Sequence, residues 1–408
     1  MARCATAADG GARSLPEIME RRTSLCMNIG LRHPFYPFIR RRKAMTRKVS
    51  ENGIRLSIPE GVFYNPEMEL CRDLCSLALG TLGGRLSVLD AMCASGARGI
   101  RYRKENKNVG KLALVDLSPR AVLCARKNAA ANKAKCSCIN ADAGLFMRGH
   151  EFDFVELDPF GSPVPFLHDA CRSFRTKKSG FISVTATDMA VLCGAHHAAC
   201  LKNYGAVPLN SEFCHENAAR ILAGKLILAA APSNLSAVPI FTFSHRHYVK
   251  MMFAVSQGAE GAVESVKSVG FVSYCPGCCH RETARLPRRQ SCPHCGHSLV
   301  HAGPLYLGKL WDGKLLEGMA ALGAARNYAR KKEICRVLAT MLEESRIGAY
   351  GYYDLHILAK KMKSPILGMD EAVGRLRQAG HAASRTHFCP TAIRTDAPHG
   401  KVIEVLCR

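Results

Sequence analysis

Acidic residues are in short supply in this chain. Its 408 residues include 33 Asp and Glu against 57 Lys and Arg, a net charge of +24. That imbalance argues against an enzyme built only for small neutral substrates. It points to a polyanionic partner, because Lys and Arg that neutralise phosphates release bound counterions. Long apolar runs are also missing. The most apolar stretch, Leu226 to Phe243, is broken by Pro232 and Pro239 and contains Ser233, Asn234 and Ser236, so no membrane span is expected. There is no internal repeat and no low-complexity tract, which excludes a solenoid. No secretory leader pattern is seen. The twenty cysteines are therefore expected in a reducing intracellular compartment, cytoplasm or nucleus, most of them packed as small apolar residues.

The basic charge is distributed. Residues 1–50 carry eleven basic and three acidic residues, and residues 301–408 carry seventeen and ten. The first segment shows little periodicity and contains Arg40-Arg41-Arg42-Lys43. It reads as a disordered basic extension. A mitochondrial presequence, a nuclear signal and an RNA-binding arm all fit that composition.

From about residue 54 to 250, short apolar runs alternate with amphipathic stretches. Strands are expected at Ser87–Leu89, Lys111–Val115, Cys136–Ile139, Phe152–Leu157 and Phe181–Val184, with a helix at Pro119–Asn132 between two of them. Such alternation predicts an α/β fold: a Rossmann-like, doubly wound, mainly parallel sheet over 51–250. Residues 251–408 read as an α+β C-terminal domain. There, Leu315 to Glu344 reads as one long helix, 354–363 and 370–379 as two short ones, and 382–406 as a small β-ribbon. Two helices followed by a ribbon resemble a winged helix.

The run Val88 to Gly99 leads from a strand through Asp90 into a small-residue turn containing Gly96, then into a helix. Missing side chains at such a turn let a nucleotide-like ligand approach the backbone. The three spaced glycines of dinucleotide-binding turns are not present in that form. Asp116 ends the next strand, where a carboxylate can accept both hydroxyls of an adenosine ribose. Asp142 follows the third strand and can accept the adenine amino group, with the Ala143 backbone beside it. Three aspartates at the carboxyl ends of successive strands mark the ligand edge of an open α/β sheet.

The fourth strand ends in Asp158-Pro159-Phe160-Gly161. This is close to the Asp/Asn-Pro-Pro-aromatic motif of amino-methyltransferases, whose methyl donor is S-adenosylmethionine. An exocyclic amine on a base is a poor nucleophile because its lone pair is delocalised into the ring. Acceptors from Asp158 and the Pro159 carbonyl can bind its N–H groups and turn the lone pair toward an incoming methyl. Phe160 can stack on the base and hold it in line. A carboxylate suits guanine, whose N1–H and N2 amine are neighbouring donors, although some adenine methyltransferases also use Asp here. The base must be flipped out or already unpaired. Phe63 and Tyr64 are candidates for a second aromatic clamp.

Cys275-x2-Cys278 and Cys292-x2-Cys295 are separated by thirteen residues. Four thiolates at this spacing suit a structural, tetrahedral Zn2+. Cys279, His280, His294 and His297 leave the ligand set open. The Arg281–Arg289 segment between the knuckles is basic and can touch RNA.

From about residue 54 to its end the chain resembles the tRNA guanine-N2 dimethyltransferases that act on the guanosine at tRNA position 26. The resemblance is carried by Val62-Phe63-Tyr64-Asn65-Pro66, Gly96-Ala97-Arg98-Gly99-Ile100-Arg101 and Asp158-Pro159-Phe160-Gly161-Ser162-Pro163. Thr185-Ala186-Thr187-Asp188, Leu192-Cys193-Gly194, Thr386-His387-Phe388 and Arg394-Thr395-Asp396 add to it. It implies S-adenosylmethionine contacts at Arg72, Arg101, Asp116, Asp142 and Ala143. It implies Asp158 as the catalytic carboxylate, Phe63 and Phe160 as a sandwich around guanine, and a C-terminal domain that grips tRNA. A monomer is expected. An amino-methyltransferase for another RNA or DNA base, and a non-catalytic zinc-ribbon RNA-binding protein, are the competing readings.

Overall fold

The computed structural model describes residues 45–407. Most of the expected basic extension lies outside the described residues. Its last residues do not: β1 (Thr46–Glu51) pairs antiparallel with β2 (Ile54–Pro59), so the boundary expected at 50 falls inside a strand.

The central layer is a seven-stranded sheet. Its parallel part comprises β3 (Leu86–Asp90), β4 (Val109–Asp116), β5 (Ser137–Asn140), β6 (Phe154–Leu157) and β7 (Ser179–Ala186). The helices that carry the chain between them are α2 (Ala97–Glu105), α3 (Pro119–Ala131), α4 (Ala143–Gly149) and α5 (Val164–Arg172), preceded by α1 (Glu69–Thr81). After β7 come α6 (Met189–Leu192), α7 (His197–Tyr204) and α8 (Cys214–Ala230). Two long antiparallel strands, β8 (Leu235–His245) and β9 (Tyr248–Gln257), complete the sheet, in the order β5-β4-β3-β6-β7-β9-β8. The order reverses beside β3, and ligands bind such sheets at the carboxyl ends of strands flanking that switch. The expected boundary at 250/251 falls inside β9, which pairs with both β7 and β8.

Beyond β9, α9 (Ala259–Lys267) leads to a three-stranded sheet of β10 (Val269–Tyr274), β11 (Arg281–Ala284) and β12 (Val300–Tyr306), which carries the cysteine knuckles. The expected single helix at 315–344 is instead a pair, α10 (Gly313–Ala325) and α11 (Lys331–Ser345). Tertiary hydrogen bonds make the break. Arg326 donates to the Glu105 carbonyl and Asn106 Oδ1, and Ala329 N–H donates to Asn52 Oδ1.

The last part runs β13 (Tyr353–Asp354), α12 (Leu355–Met362), α13 (Met369–Gln378), β14 (Ala383–Arg385), β15 (Ala392–Thr395) and α14 (His399–Cys407). With α11 ahead of it and strand order β13-β15-β14, this is a winged-helix topology. The expected ribbon is shorter than 382–406, because Pro398 starts α14: its carbonyl accepts from Lys401 and Val402 N–H. Val402 and Leu406, one helical turn apart, are the buried face. One hydrophobic core runs from Ile54 to Leu406.

A polar cluster ties the winged helix to the sheet domain. Arg394 of β15 ion-pairs with Glu216 of α8 and Glu344 of α11, all fully buried. His387 Nε2 accepts from Ser244 N–H at 3.2 Å, so Nδ1 carries the proton and donates to Glu344. No described helix is long and apolar enough to cross a membrane.

Candidate active site

The expected aspartates converge. Asp116, Asp142 and Asp158 line one cavity of about 430 Å³ at the carboxyl ends of β4, β5 and β6, together with Arg72, Ala143 and Phe160. That size is within the range of small-ligand pockets. Phe63 and Pro159 are also on its wall. A smaller adjoining cavity reaches Asp90 and shares Asp158 and Arg72 with it.

Each member is held by its local backbone. Asp116 Oδ2 accepts from Ala94 N–H at 2.8 Å and Oδ1 from Ser118 N–H at 2.9 Å. A carboxylate has about four acceptor positions, so two remain for ribose hydroxyls. Asp142 caps α4 through Leu145 N–H at 2.8 Å, and Ala143 opens that helix. Gly96 shapes the turn: it sits at φ +78°, and a Cβ there would press within 3.1 to 3.2 Å of Ala125 and Ile100. The carboxylates of Asp116 and Asp142, the small Ala94 at the turn and the apolar Met92 and Leu117 on the walls fit S-adenosylmethionine.

Two expected cofactor contacts are placed differently from each other. Arg72 reaches the cavity, with its guanidinium paired to Glu51 and donating to the Asn65 carbonyl at 3.1 Å. Arg101 does not line it. Its guanidinium is fully buried against Glu51 at 3.2 Å, Asp73 at 2.5 Å and Glu105 at 2.7 Å. Glu51 thus joins the two arginines.

Asp158 sits over an ionic cluster that the motif alone does not reveal. Arg98, on the first turn of α2, holds Asp158 Oδ2 at 2.5 Å. Glu156, fully buried on β6, pairs with Lys250 of β9 and accepts from Tyr102 Oη at 2.7 Å. Burial works to raise the Asp158 carboxyl, but the charges of Arg98 and Lys250, with hydrogen bonds from Arg98 and Thr185, hold it below the usual range. Asp90 is the opposite case. Burial and the Glu156 charge push its carboxyl up to about 7, against Arg98 and a 3.0 Å hydrogen bond from Gly99 N–H. Sequence does hold a signal for this cluster: Glu156 and Lys250 are lone charges inside the apolar runs Phe154–Leu157 and Tyr248–Phe253.

The turn after Asp158 is braced from behind. Gly161 N–H donates to Thr187 Oγ1 at 2.8 Å, and Thr187 N–H donates to the Gly161 carbonyl at 2.9 Å. Ser162 donates to Tyr204 Oη, which donates to Asp188 Oδ1. These contacts leave Phe160 projecting, 76% exposed, beside Phe63 at 50%. The two rings meet edge to face, centroids 4.5 Å apart at 79°. A base between parallel rings needs two contacts of about 3.5 Å each. The pair is therefore closed as it stands, and one ring must move to admit a base.

The four cysteines also converge. Cys275 and Cys295 Sγ are 3.3 Å apart, Cys278 and Cys292 Sγ 3.6 Å, and the four atoms form one group able to hold a metal ion. The two knuckles match. Cys275 and Cys292 N–H each donate at 2.8 Å to the carbonyl five residues on, and Cys279 and Gly296 N–H each donate at 3.0 Å to the carbonyl four residues back. Cys279, at φ +65°, thus occupies the place of Gly296 at +75°. Its Sγ faces Tyr274 Oη and is outside the ligand group. Four convergent cysteines fit a closed, structural zinc site.

Comparison with known proteins agrees with this geometry. Residues 43–407 match the family model described as N2,N2-dimethylguanosine tRNA methyltransferase. The tRNA (guanine(26)-N(2))-dimethyltransferase of Methanothermobacter thermautotrophicus is 35% identical, over 88% of this chain and 98% of that protein. The tRNA (guanine(26)-N(2)/guanine(27)-N(2))-dimethyltransferase of Aquifex aeolicus is 36% identical, over 84% and 89%. The solved complex of Trm1 from Pyrococcus horikoshii with S-adenosyl-L-methionine superposes with a TM-score of 0.81 at 33% identity, covering 89% of this chain and all of that one. The chain belongs to the N2,N2-dimethylguanosine tRNA methyltransferase family.

Proposed function

We propose that this chain methylates the exocyclic N2 of the guanosine at position 26 of tRNA, once or twice, with S-adenosylmethionine as donor. The observation that carries the reading is one cavity lined together by Asp116, Asp142, Asp158, Pro159 and Phe160. S-adenosylmethionine supplies an electrophilic methyl group on a sulfonium sulfur. Asp116 accepts from the ribose, Asp142 and the Ala143 backbone hold the adenine, and Arg72 closes the wall. Asp90 and Gly96 shape the turn beneath.

Asp158, ionised by Arg98 and Lys250, accepts from guanine N1–H and the N2 amine. As the methyl arrives, N2 becomes cationic and strongly acidic. Even a carboxylate of lowered basicity can then take its proton. Phe63 and Phe160 part to take the base between them, exchanging a ring pair worth about 0.5–1.5 kcal/mol for two stacking contacts. For the second transfer the monomethyl product must turn its remaining N–H to Asp158. Zinc on Cys275, Cys278, Cys292 and Cys295 supports the part that grips tRNA. We propose a monomer, in a reducing compartment that keeps these cysteines out of disulfides.

The test is incubation with unmodified tRNA and labelled S-adenosylmethionine, followed by nucleoside mass spectrometry. N2-methyl- and N2,N2-dimethylguanosine are expected, lost when G26 is replaced by A. Because the Aquifex relative also acts on guanine 27, a tRNA with guanine at both positions maps the range. N6-methyladenosine as product would sink the reading.

A further inference from the structure

Outside the four-cysteine cluster, the described residues hold one other group of at least three donors in metal-binding proximity. Cys193, Cys214 and His215 place their ligand atoms within 4.8 Å of one another. We propose that these three side chains form a second site, for a thiophilic divalent ion such as Zn2+.

The fold brings the donors together from two elements. Cys193 caps the C-terminus of α6, and Cys214 and His215 begin α8. Gly194 makes the meeting close. It sits at φ +96°, and a Cβ there would lie 2.9 Å from Asn210 N. That contact presses the turn after α6 onto the segment entering α8. Cys214 Sγ and His215 Nδ1 are 4.0 Å apart. With Zn–S near 2.3 Å and Zn–N near 2.0 Å, a tetrahedral site needs an S–N edge of about 3.6 Å. A shift of a few tenths of an ångström closes the difference. All three residues are half-buried, open enough for an ion to enter.

The group differs from the ordinary core thiols. Cys71 and Cys75 approach to 3.9 Å, and Cys136 and Cys138 to 3.7 Å, but neither pair has a third donor in reach. Two thiolates and an imidazole select soft or borderline ions over Mg2+ or Ca2+. Two thiol protons leave as the two metal–sulfur bonds form. Three protein ligands leave one corner for water, unlike the closed four-cysteine site.

The position gives the ion a role. It clips the end of α6 to the start of α8. Asp188, at the start of α6, reaches through Tyr204 to Ser162, directly after the Asp158–Gly161 turn. The bound ion braces the loop behind the reacting centre without touching substrate.

Metal counting on the full-length protein, purified without chelator, tests this. Cys193→Ser and His215→Asn are each expected to lower the zinc count by one per chain, from two to one, with the S4 charge-transfer bands of the cobalt-substituted four-cysteine site retained. His215 is half-exposed, so its substitution keeps the test open if Cys193→Ser does not fold. A count that neither substitution changes overturns the proposal. So does a Cys193–Cys214 disulfide found by peptide mass spectrometry of the unreduced protein.

Discussion

Arg98 on α2 and Asp158 at the end of β6 form an ion pair at 2.5 Å, with the arginine buried and the carboxylate still one-quarter exposed to the cavity. The pair makes the carboxylate both ionised and fixed in direction. Replacing Arg98 by Met keeps the volume and removes the charge. The Asp158 carboxyl then rises toward its ordinary value. The low-pH limb of kcat/KM, where this carboxylate protonates, is expected to move to higher pH. Denaturant titration should show a loss of about 3–5 kcal/mol, because Asp158 and Glu156 lose a partner. A pH profile identical to wild type would contradict the assignment of Asp158 as the ionised acceptor.

The proposed clamp requires Phe63 and Phe160, now edge to face at 4.5 Å, to separate before a base can lie between them. Base–aromatic stacking is worth about 1–3 kcal/mol per base, so Phe63→Ala should lower kcat/KM for tRNA by about 5- to 150-fold. Phe63→Tyr should keep most of it. Binding of S-adenosylmethionine, measured by calorimetry, should change little. Equal losses in cofactor affinity would mean that Phe63 belongs to the cofactor wall and not to a base clamp.

The winged helix is held by buried charge. Burial opposes ionisation of Glu216, but Arg394 and Arg220 outweigh it and hold its carboxyl at about 2. A carboxyl lowered on folding stabilises the fold above its ordinary value of 4.5. That stability is lost as pH falls from there toward 2. Glu216→Gln should cost about 3–5 kcal/mol at neutral pH, by leaving Arg394 short of a partner, and should flatten the acid limb of the stability curve. Thermal melts from pH 7 to 3 read both effects.

Zinc at the knuckles is separable from the neighbouring thiol. Cys292→Ser should release one zinc per chain and lower the melting temperature, since a structural ion contributes folding free energy. Cys279→Ser should keep the zinc, because Cys279 stands at the turn position and not at a ligand position. Zinc lost in both variants would show that Cys279 is a ligand.

The sequence was legible where the signal is local. Asp90 and Asp116 end their strands and Asp142 and Asp158 follow theirs closely, and a parallel sheet must bring strand ends to one edge, so their meeting was legible from order. The paired Cys-x2-Cys spacings were equally local. What escaped depends on distant partners. Arg98 meets Asp158 only because β3 and β6 are neighbours. The break between α10 and α11 is made by Asn52, Glu105 and Asn106, none of them near it in sequence. The resemblance implies a cofactor contact at Arg101, and its buried ion pairs with Glu51, Asp73 and Glu105 come from residues that local sequence does not point to. The ribbon expected over 382–406 gives way after Pro398, where α14 begins.

Asp158→Asn keeps the side chain's shape and removes the charge on which methyl transfer is proposed to depend. Methyl transfer to guanosine 26 of unmodified tRNA is measured by nucleoside mass spectrometry, and cofactor binding by calorimetry on the same preparation. The rate should fall by at least about 100-fold, the range of general acid–base contributions, with S-adenosylmethionine still bound. Transfer at close to the wild-type rate would contradict the role proposed for Asp158.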